Sequence, residues 1–514
     1  MAPTFVIEQM RSVWLRMFRP HTSGIPSFTL EESLMTPLNV DVAIIGAGTA
    51  GMGAYRAART HTESVLLIEA DAYGTTCARV GCMPSKLLIA AADVAHQARH
   101  ADPFGVHVDG VAVDGAAVLA RVRQERDRFV GFVLESVEAI PITDRLKARV
   151  RFQDATTLVT AQGQTIHARR SVIATGSTPM LPPLLKGLAK RLLTNENIFE
   201  LPTLPKRLAV FGPGVLGMEL GQALSRLGVG VKMFGVGGGI AGIHDPEIRA
   251  LANHVFNEEF YLDAAAEVKS VKETAAGVDI DYLHRDGAWK TEQFDYVLAA
   301  TGRAPDVAGL TLKNTGLMLN DHGVPVFDRF TLQCGNSAIF IAGDASNDMP
   351  LLHEAADQGR IAGDNAGRYP AVQKGLRRTP LAVVFTDPQV ASVGLTLEQL
   401  NQNFNHRFAV GVVSFKDQGR SRVILRNKGL LKVYAEQGSD LFLGAEMFGP
   451  AAEHIGHLLA WAAQQRMTVG AMLEMPFYHP VIEEGLRTAL RDLNRNLHKG
   501  SEAIPHCLDC GPGA

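Results

Sequence analysis

The 514-residue chain carries 50 Lys and Arg against 53 Asp and Glu, so it lacks the concentrated basic surface that nucleic-acid binding needs, and no nucleic-acid partner is expected. At roughly 150 residues per domain, the length suggests about three domains. Fifty glycines and 46% apolar content fit an α/β protein with tight strand-to-helix turns, and no apolar run is long enough to predict a membrane span.

Residues 1–37 read as an extension. Arg11, Arg16 and Arg19 alternate with Val13, Trp14, Leu15, Met17 and Phe18, the pattern of a short amphipathic helix. Glu8, Glu31 and Glu32 argue against a transit peptide, and no secretory core with a small-residue cleavage site precedes them. The expectation is a flexible segment with Met35 as an alternative start; a membrane-surface anchor is the lesser reading.

Val40–Ile45 is an apolar run that ends in Gly46-Ala47-Gly48-Thr49-Ala50-Gly51, followed by a helical pattern, a second apolar run and Glu69. Such glycines permit a tight turn and a close approach of the backbone to a pyrophosphate, which the helix N-terminus attracts. The acid after the second strand can accept from ribose hydroxyls. The unit recurs as Leu208–Phe211, Gly212-Pro213-Gly214-Val215-Leu216-Gly217, a helix and the strand Val229–Phe234. In the first unit 69 − 46 = 23; the same count from Gly212 lands on Gly235, so the acid is missing. No Arg or Lys follows at once to hold a 2′-phosphate, which favours NAD and leaves NADP open. Two dinucleotide units in one chain point to electron transfer between a flavin and a nicotinamide.

Five cysteines are too few for a secreted disulfide framework, but Cys77/Cys82 and Cys507/Cys510 form close pairs, which suggests redox or metal chemistry in a cytoplasmic protein. Residues five apart on a straight helix rise about 7.5 Å, whereas a disulfide needs Cα atoms within about 6.8 Å. Cys77 and Cys82 are therefore expected on a distorted turn, which Gly81 permits. Lys86 and Arg79 would favour the thiolate. A redox disulfide is the leading reading, beside a zinc site and inert core cysteines.

These motifs, taken with others, resemble the pyridine nucleotide-disulfide oxidoreductase family, and within it the dihydrolipoamide dehydrogenase branch, over about residues 38–500. The resemblance rests on Cys77-Ala78-Arg79-Val80-Gly81-Cys82-Met83-Pro84-Ser85-Lys86, Ala174-Thr175-Gly176-Ser177, Ala300-Thr301-Gly302-Arg303 and Ala342-Gly343-Asp344-Ala345. It rests also on the run Phe385–Gly394 and on His479-Pro480-Val481-Ile482-Glu483-Glu484.

The resemblance implies an α/β fold with two Rossmann-like domains, the NAD domain (181–310) inserted in the FAD domain (38–180 and 311–375), then an α+β dimerisation domain (376–500) and a flexible tail (501–514). Residues 145–172 read as successive strands. It further implies FAD on Gly46, Gly48, Gly51, Glu69, Thr175, Gly176 and Asp344, and NAD on Gly212, Gly214, Gly217, Glu219 and Gly302. Cys77 would be the interchange thiol, Cys82 the thiol over the flavin, and Lys86 the partner of Glu219 beside both cofactors. His479 would be the acid–base, oriented by Glu484 and supplied by the partner of a homodimer. Pro480 would open the helix that carries Glu484. His353 would pack or hydrogen-bond near the flavin.

The implied activity is oxidation of dihydrolipoamide on lipoyl domains of 2-oxoacid dehydrogenase or glycine-cleavage complexes, through the Cys77–Cys82 disulfide and FAD, to reduce NAD. The alternatives are a related disulfide or metal-ion reductase that shuttles electrons through Cys507/Cys510, and a flavin-holding sensor without turnover. The departures from the family pattern are Gly235, Ala78-Arg79, Val481 and Phe477-Tyr478.

Overall fold

The computed structural model describes residues 36–404 and 407–498. The N-terminal extension up to residue 35 and the Cys507/Cys510 pair lie outside the described residues.

The first strand, Leu38–Ile45 (β1), ends in four consecutive buried residues because both faces of its sheet are covered. It pairs in parallel with Val65–Glu69 (β2), which in turn pairs with Arg145–Lys147 (β3). Val150–Phe152 (β4), Thr157–Thr160 (β5) and Thr165–Ile173 (β6) follow, so residues 145–173 do run as successive strands. The sheet order is β3-β2-β1-β6-β5-β4.

The chain leaves through Ser177–Pro179 (β7) and returns through Arg303–Pro305, a strand that pairs antiparallel with β7. Between them a second parallel sheet forms from Leu192–Leu193 (β8), Arg207–Phe211 (β9), Gly230–Phe234 (β10), Tyr261–Asp263 (β11) and Tyr296–Ala299, with β9 in its centre and β10 beside it. Three antiparallel strands over residues 268–294 cover one side, with Phe234 of β10 stacked edge-on against Tyr282 and Phe294. After the return, Ile339–Ile341 rejoins the first sheet against β6. The helix Leu352–Arg368 then packs on the helix Thr49–Ala58 so closely that a Cβ on Gly359 or Gly363 would lie 2.1 or 2.2 Å from a backbone oxygen of that helix.

The last unit is a five-stranded sheet over residues 381–449, in which every neighbouring pair is antiparallel. The helix Glu484–Leu497 buries residues 484–486, 489, 490 and 493 on this sheet, one face at helical spacing. Each fully buried Leu among them stabilises the fold by about 1.5–3 kcal/mol.

The dithiol segment breaks where the distance argument requires. Thr76–Val80 is a short helix, Gly81 adopts φ −127 and ψ −115, and a new helix runs over Cys82–Arg99.

Candidate active site

The two glycine turns and the dithiol helix open onto one cleft of about 1360 Å³. In the first turn Gly46 has φ +108, and a Cβ there would lie 2.3 Å from the Ala174 oxygen. A Cβ on Gly51 would lie 1.8 Å from the Gly46 oxygen, whereas nothing stands within 4 Å of one on Gly48. Two glycines thus serve packing, and the third leaves space at a helix N-terminus that has no side-chain cap. Glu69, at the end of β2, is held beside the turn, accepting from Ala47 N at 2.8 Å and from Asp71 N at 2.9 Å.

Across the turn, Thr175 Oγ1 is buried without a partner, and Gly176 (φ +73) leaves open space beside it. Asp344 lies on the turn after Ile339–Ile341 and accepts from Ser177 Oγ at 2.8 Å. Ser177 Oγ also accepts from Arg303 Nε at 2.8 Å, and Arg303 reaches Asn195, which donates to Val80 O. The two crossover strands are thereby tied to the end of the Cys77 helix. An open space at the helix N-terminus, a carboxylate beside the turn, an orphaned buried hydroxyl and a second acid fit a bound FAD.

The second turn repeats this cage. Gly212 has φ +99, with 2.3 Å from its Cβ position to the Ala300 oxygen; the Gly217 position lies 1.9 Å from the Gly212 oxygen, and Gly214 is open. Gly302, at φ +100, also lines the cleft.

Cys77 and Cys82 both border the cleft, the first half-buried and the second exposed, so neither is an inert core thiol. Among the described residues no group of three His, Cys, Asp or Glu is placed to hold a metal ion. As a reduced pair the Cys77 thiol donates to Cys82. That hydrogen bond pushes Cys77 up and, with Lys86 nearby, brings Cys82 down from 9.0 to about 7 against the partial desolvation of its sulfur. The hydrogen bond and Lys86 both favour Cys82 over Cys77 as the site of negative charge when the pair is reduced. Cys334, fully buried, is pushed up to about 12 by desolvation.

Lys86 Nζ donates to Glu219 Oε2 at 2.7 Å, and Glu219 Oε1 accepts from Phe385 N at 2.9 Å. The ammonium also lies 4.7 Å from the centre of the Phe385 ring. Glu219 is only 3% exposed, so this pair spans the two nucleotide units inside the protein. His353 lines the same cleft.

His479 and Glu484 meet as well: His479 Nδ1 lies 2.9 Å from Glu484 Oε1. The carboxylate is 5% exposed and the imidazole 75%, and neither lines the cleft of its own chain.

Two expectations need correction. Pro480 does not open the helix; it sits in the preceding turn, and the helix starts at Glu484, whose Oε2 accepts from Val481 N at 3.1 Å. Arg79 does not charge the dithiol: its guanidinium turns back to Ala72 O at 3.2 Å along Gly74, because residues 70–74 fold over the short helix.

Sequence reasoning passed over Gln222 and Arg226, one and two turns beyond Glu219. Gln222 brackets Asp387 with hydrogen bonds of 2.7 and 2.8 Å to its backbone, and Arg226 pairs with Glu259, Asp387 and Asp93. Their signal was polar residues at i, i+3 and i+7 in an otherwise apolar helix. Thr75 was also missed; it caps the Cys77 helix through Oγ1, 3.2 Å from Ala78 N.

Residues 40–359 match the family described as pyridine nucleotide-disulphide oxidoreductase, and residues 381–490 match its dimerisation domain. The chain belongs to this family of FAD-dependent oxidoreductases, whose cofactors are FAD and NAD(H). Within it, the chain is 31% identical over 468 residues to the dihydrolipoyl dehydrogenase of Chlamydia pneumoniae, covering 89% of this chain and 98% of that one. It is 30% identical over 478 residues to the mercuric reductase of Streptomyces lividans, covering 89% and 97%. The crystal structure of LpdA from Mycobacterium tuberculosis superposes with a TM-score of 0.75 at 26% identity, covering 88% of this chain and 99% of that one. No helix among the described residues is long and apolar enough to cross a membrane.

Proposed function

We propose that the chain, as a cytoplasmic homodimer, oxidises dihydrolipoamide carried on lipoyl domains of 2-oxoacid dehydrogenase or glycine-cleavage complexes and reduces NAD⁺. The observation that carries this reading is the His479–Glu484 pair. A buried carboxylate on Nδ1 fixes the orientation of the imidazole, while the other edge stays exposed and outside its own cleft. Such a base serves a dithiol only when a second copy brings it to the cleft. The resemblance to dihydrolipoyl dehydrogenases supports the same substrate.

In the oxidised protein Cys77 and Cys82 are joined. A substrate thiolate attacks the Cys77 sulfur, the Cys77–Cys82 bond breaks, and Cys82 leaves as the thiolate that Lys86 favours. The partner's His479 takes the proton of the second substrate thiol. That sulfur then attacks the first, closing the lipoamide disulfide and releasing Cys77, so two electrons have entered the Cys77/Cys82 pair. The first glycine turn, Glu69, Thr175, Gly176 and Asp344 would hold FAD, which would supply the two-electron relay between the reduced Cys77/Cys82 pair and an NAD⁺ held by the second turn. Glu219 holds the Lys86 side chain in place at the junction of the two sites.

The test is NAD⁺ reduction with dihydrolipoamide, followed at 340 nm (a wavelength fixed by NADH itself), in the intact protein and in His479→Gln. Turnover that falls by about 10²-fold or more in the variant supports the reading; unchanged turnover, or none in the flavin-loaded intact protein, sinks it.

The similarity to mercuric reductase supports a second reading, reduction of another disulfide or a metal ion through Cys507/Cys510. It predicts that removing residues 507–510 abolishes NADH-driven turnover of such an acceptor and spares dihydrolipoamide oxidation.

A further inference from the structure

The two nucleotide turns differ at two positions that answer to each other. In the first, Ala47 N donates to the Glu69 carboxylate at 2.8 Å. The residues at the same offsets in the second are Pro213, which has no N–H, and Gly235 (69 − 46 and 235 − 212 are both 23). A Cβ on Gly235 would lie 2.6 Å from Pro213 Cγ and 2.7 Å from the Ala264 oxygen. Both distances are far inside van der Waals contact.

The loop cannot simply lift away. Gly235 N donates to Asp263 O at 2.7 Å, Ala266 N to Gly235 O at 2.9 Å, Gly238 N to Ala264 O at 2.9 Å, and Ala241 N to Pro213 O at 2.7 Å. Position 235 is therefore closed by the proline ring and the Ala264 oxygen rather than vacant. The donor and the acceptor of the first unit's pair are both replaced.

Nothing nearby takes over the acid's task. The loop runs Gly235-Val236-Gly237-Gly238-Gly239-Ile240, and Val236 is 93% exposed. Asp263, at the end of the neighbouring strand, accepts from Ala265 N at 3.1 Å and does not line the cleft. A carboxylate in this place would accept from the adenosine ribose and repel a phosphate on its 2′ oxygen. Without it, neither the attraction nor the repulsion exists.

We infer that Pro213 is a specificity-determining residue: by occupying the carboxylate's place above Gly235, it makes the second site bind NAD(H) and NADP(H) with comparable affinity. The inference concerns the nicotinamide cofactor alone and stands whatever thiol substrate the protein takes.

The experiment uses ADP-ribose and 2′-phospho-ADP-ribose, which carry no nicotinamide and undergo no redox step. Each is titrated calorimetrically into the FAD-loaded protein. The intact protein should bind the two within about 10-fold of each other. Gly235→Glu alone should weaken both, because the new side chain meets Pro213 and the Ala264 oxygen. Pro213→Ala with Gly235→Glu restores the main-chain donor and removes the ring, leaving the Ala264 oxygen as the remaining contact, and should favour ADP-ribose by about 10-fold or more, the scale of one charge-assisted hydrogen bond. Flavin content and melting temperature are checked for each variant. If Gly235→Glu does not fold, the intact protein and the double variant decide. The inference is overturned if the intact protein discriminates by more than about 100-fold in either direction. It is also overturned if Gly235→Glu alone gains the preference with Pro213 in place.

Discussion

The helices that follow the two glycine turns start alike and end differently. Both open on a glycine with nearly the same dihedrals, Gly48 at φ −75, ψ −170 and Gly214 at φ −76, ψ −170. The first, Thr49–Ala58, buries Ala50, Gly51, Met52, Ala54, Tyr55 and Ala58. The second, Val215–Arg226, buries Glu219, Gln222 and Arg226 among its apolar residues. What covers each helix explains the contrast. The first lies under another helix, where only small side chains fit. The second lies under the dithiol helix and the Phe385–Asp387 segment, whose exposed backbone groups need partners. Glu219 accepts from Phe385 N and Gln222 brackets Asp387, so the buried polar face satisfies a loop that would otherwise bury unpaired amides. The glycines fix the nucleotide turn, and the rest of the helix decides whether the unit ends there or serves as a joint.

The largest effects should come from the cages themselves. Gly51→Ala and Gly217→Ala each place a methyl group inside a backbone oxygen's radius, at 1.8 and 1.9 Å. The first should purify without FAD or fail to fold. The second should stay yellow while NADH affinity falls by about 10- to 100-fold, since overpacking of about 1–3 kcal/mol is spent at the turn. Flavin absorbance and NADH titration read the two outcomes. A colourless Gly217→Ala would show that the cages do not act separately.

Next comes the joint. Arg226→Ala leaves Glu259, Asp387 and Asp93 without their shared cation and should cost about 2–4 kcal/mol in denaturant unfolding, because the three acids are only partly exposed. The loss should depend on pH with a definite sign. Burial already holds Asp93 above the ordinary carboxylate value while Arg226 opposes that shift. Without Arg226 the folded value rises further, so the deficit is full at neutral pH and shrinks as pH falls through that raised value. Ala54→Gly in the first helix should cost about 1 kcal/mol with no such pH dependence. A pH-independent Arg226→Ala deficit would break the distinction between the two helices.

A smaller effect is expected at Lys86. In the reduced protein the Cys77 hydrogen bond first and then Lys86 lower Cys82, against its desolvation. The long-wavelength absorbance of a Cys82 thiolate against a flavin should fade as pH falls through about 7. Lys86→Gln should move that midpoint upward, by less than loss of the Cys77 hydrogen bond would, because that bond is the larger cause and remains. An unmoved midpoint would mean that Glu219 already neutralises the ammonium as seen from Cys82.

How much of this was legible follows from the distance over which each feature is encoded. The glycine turns, the Ala-Thr-Gly runs and the break at Gly81 are local, and spacing alone exposes them. Lys86 and Glu219 lie 133 residues apart, and only family resemblance paired them. Gln222 and Arg226 could not be read because their partners, Glu259 and Asp387, reach them only through the folding of three units together. Pro213 was visible, but that it fills position 235 depends on the loop folding down onto Ala264. Arg79 and Pro480 misled for the opposite reason: each has an ordinary local reading that the surrounding chain overrides.

The smallest predicted effect lies in the loops beyond the two acid positions. The second loop puts glycines, Gly237 and Gly238, at φ +75 and +78. The first puts Thr75 at φ 57, ψ 149, a region that β-branched residues rarely enter, two residues before Cys77. Thr75 offsets this strain in part by capping the Cys77 helix through Oγ1. The two contributions separate by substitution. Thr75→Ala keeps most of the strain and loses the cap, and should lose about 1 kcal/mol of stability. Thr75→Gly loses the cap and the strain together, and should lie above Thr75→Ala by about 1 kcal/mol or more. Thr75→Ser keeps the cap and should match the native protein closely. Unfolding of the flavin-loaded variants gives the order directly. If Thr75→Gly is the least stable of the three, the backbone at residue 75 is relaxed, and the threonine is there for its cap alone.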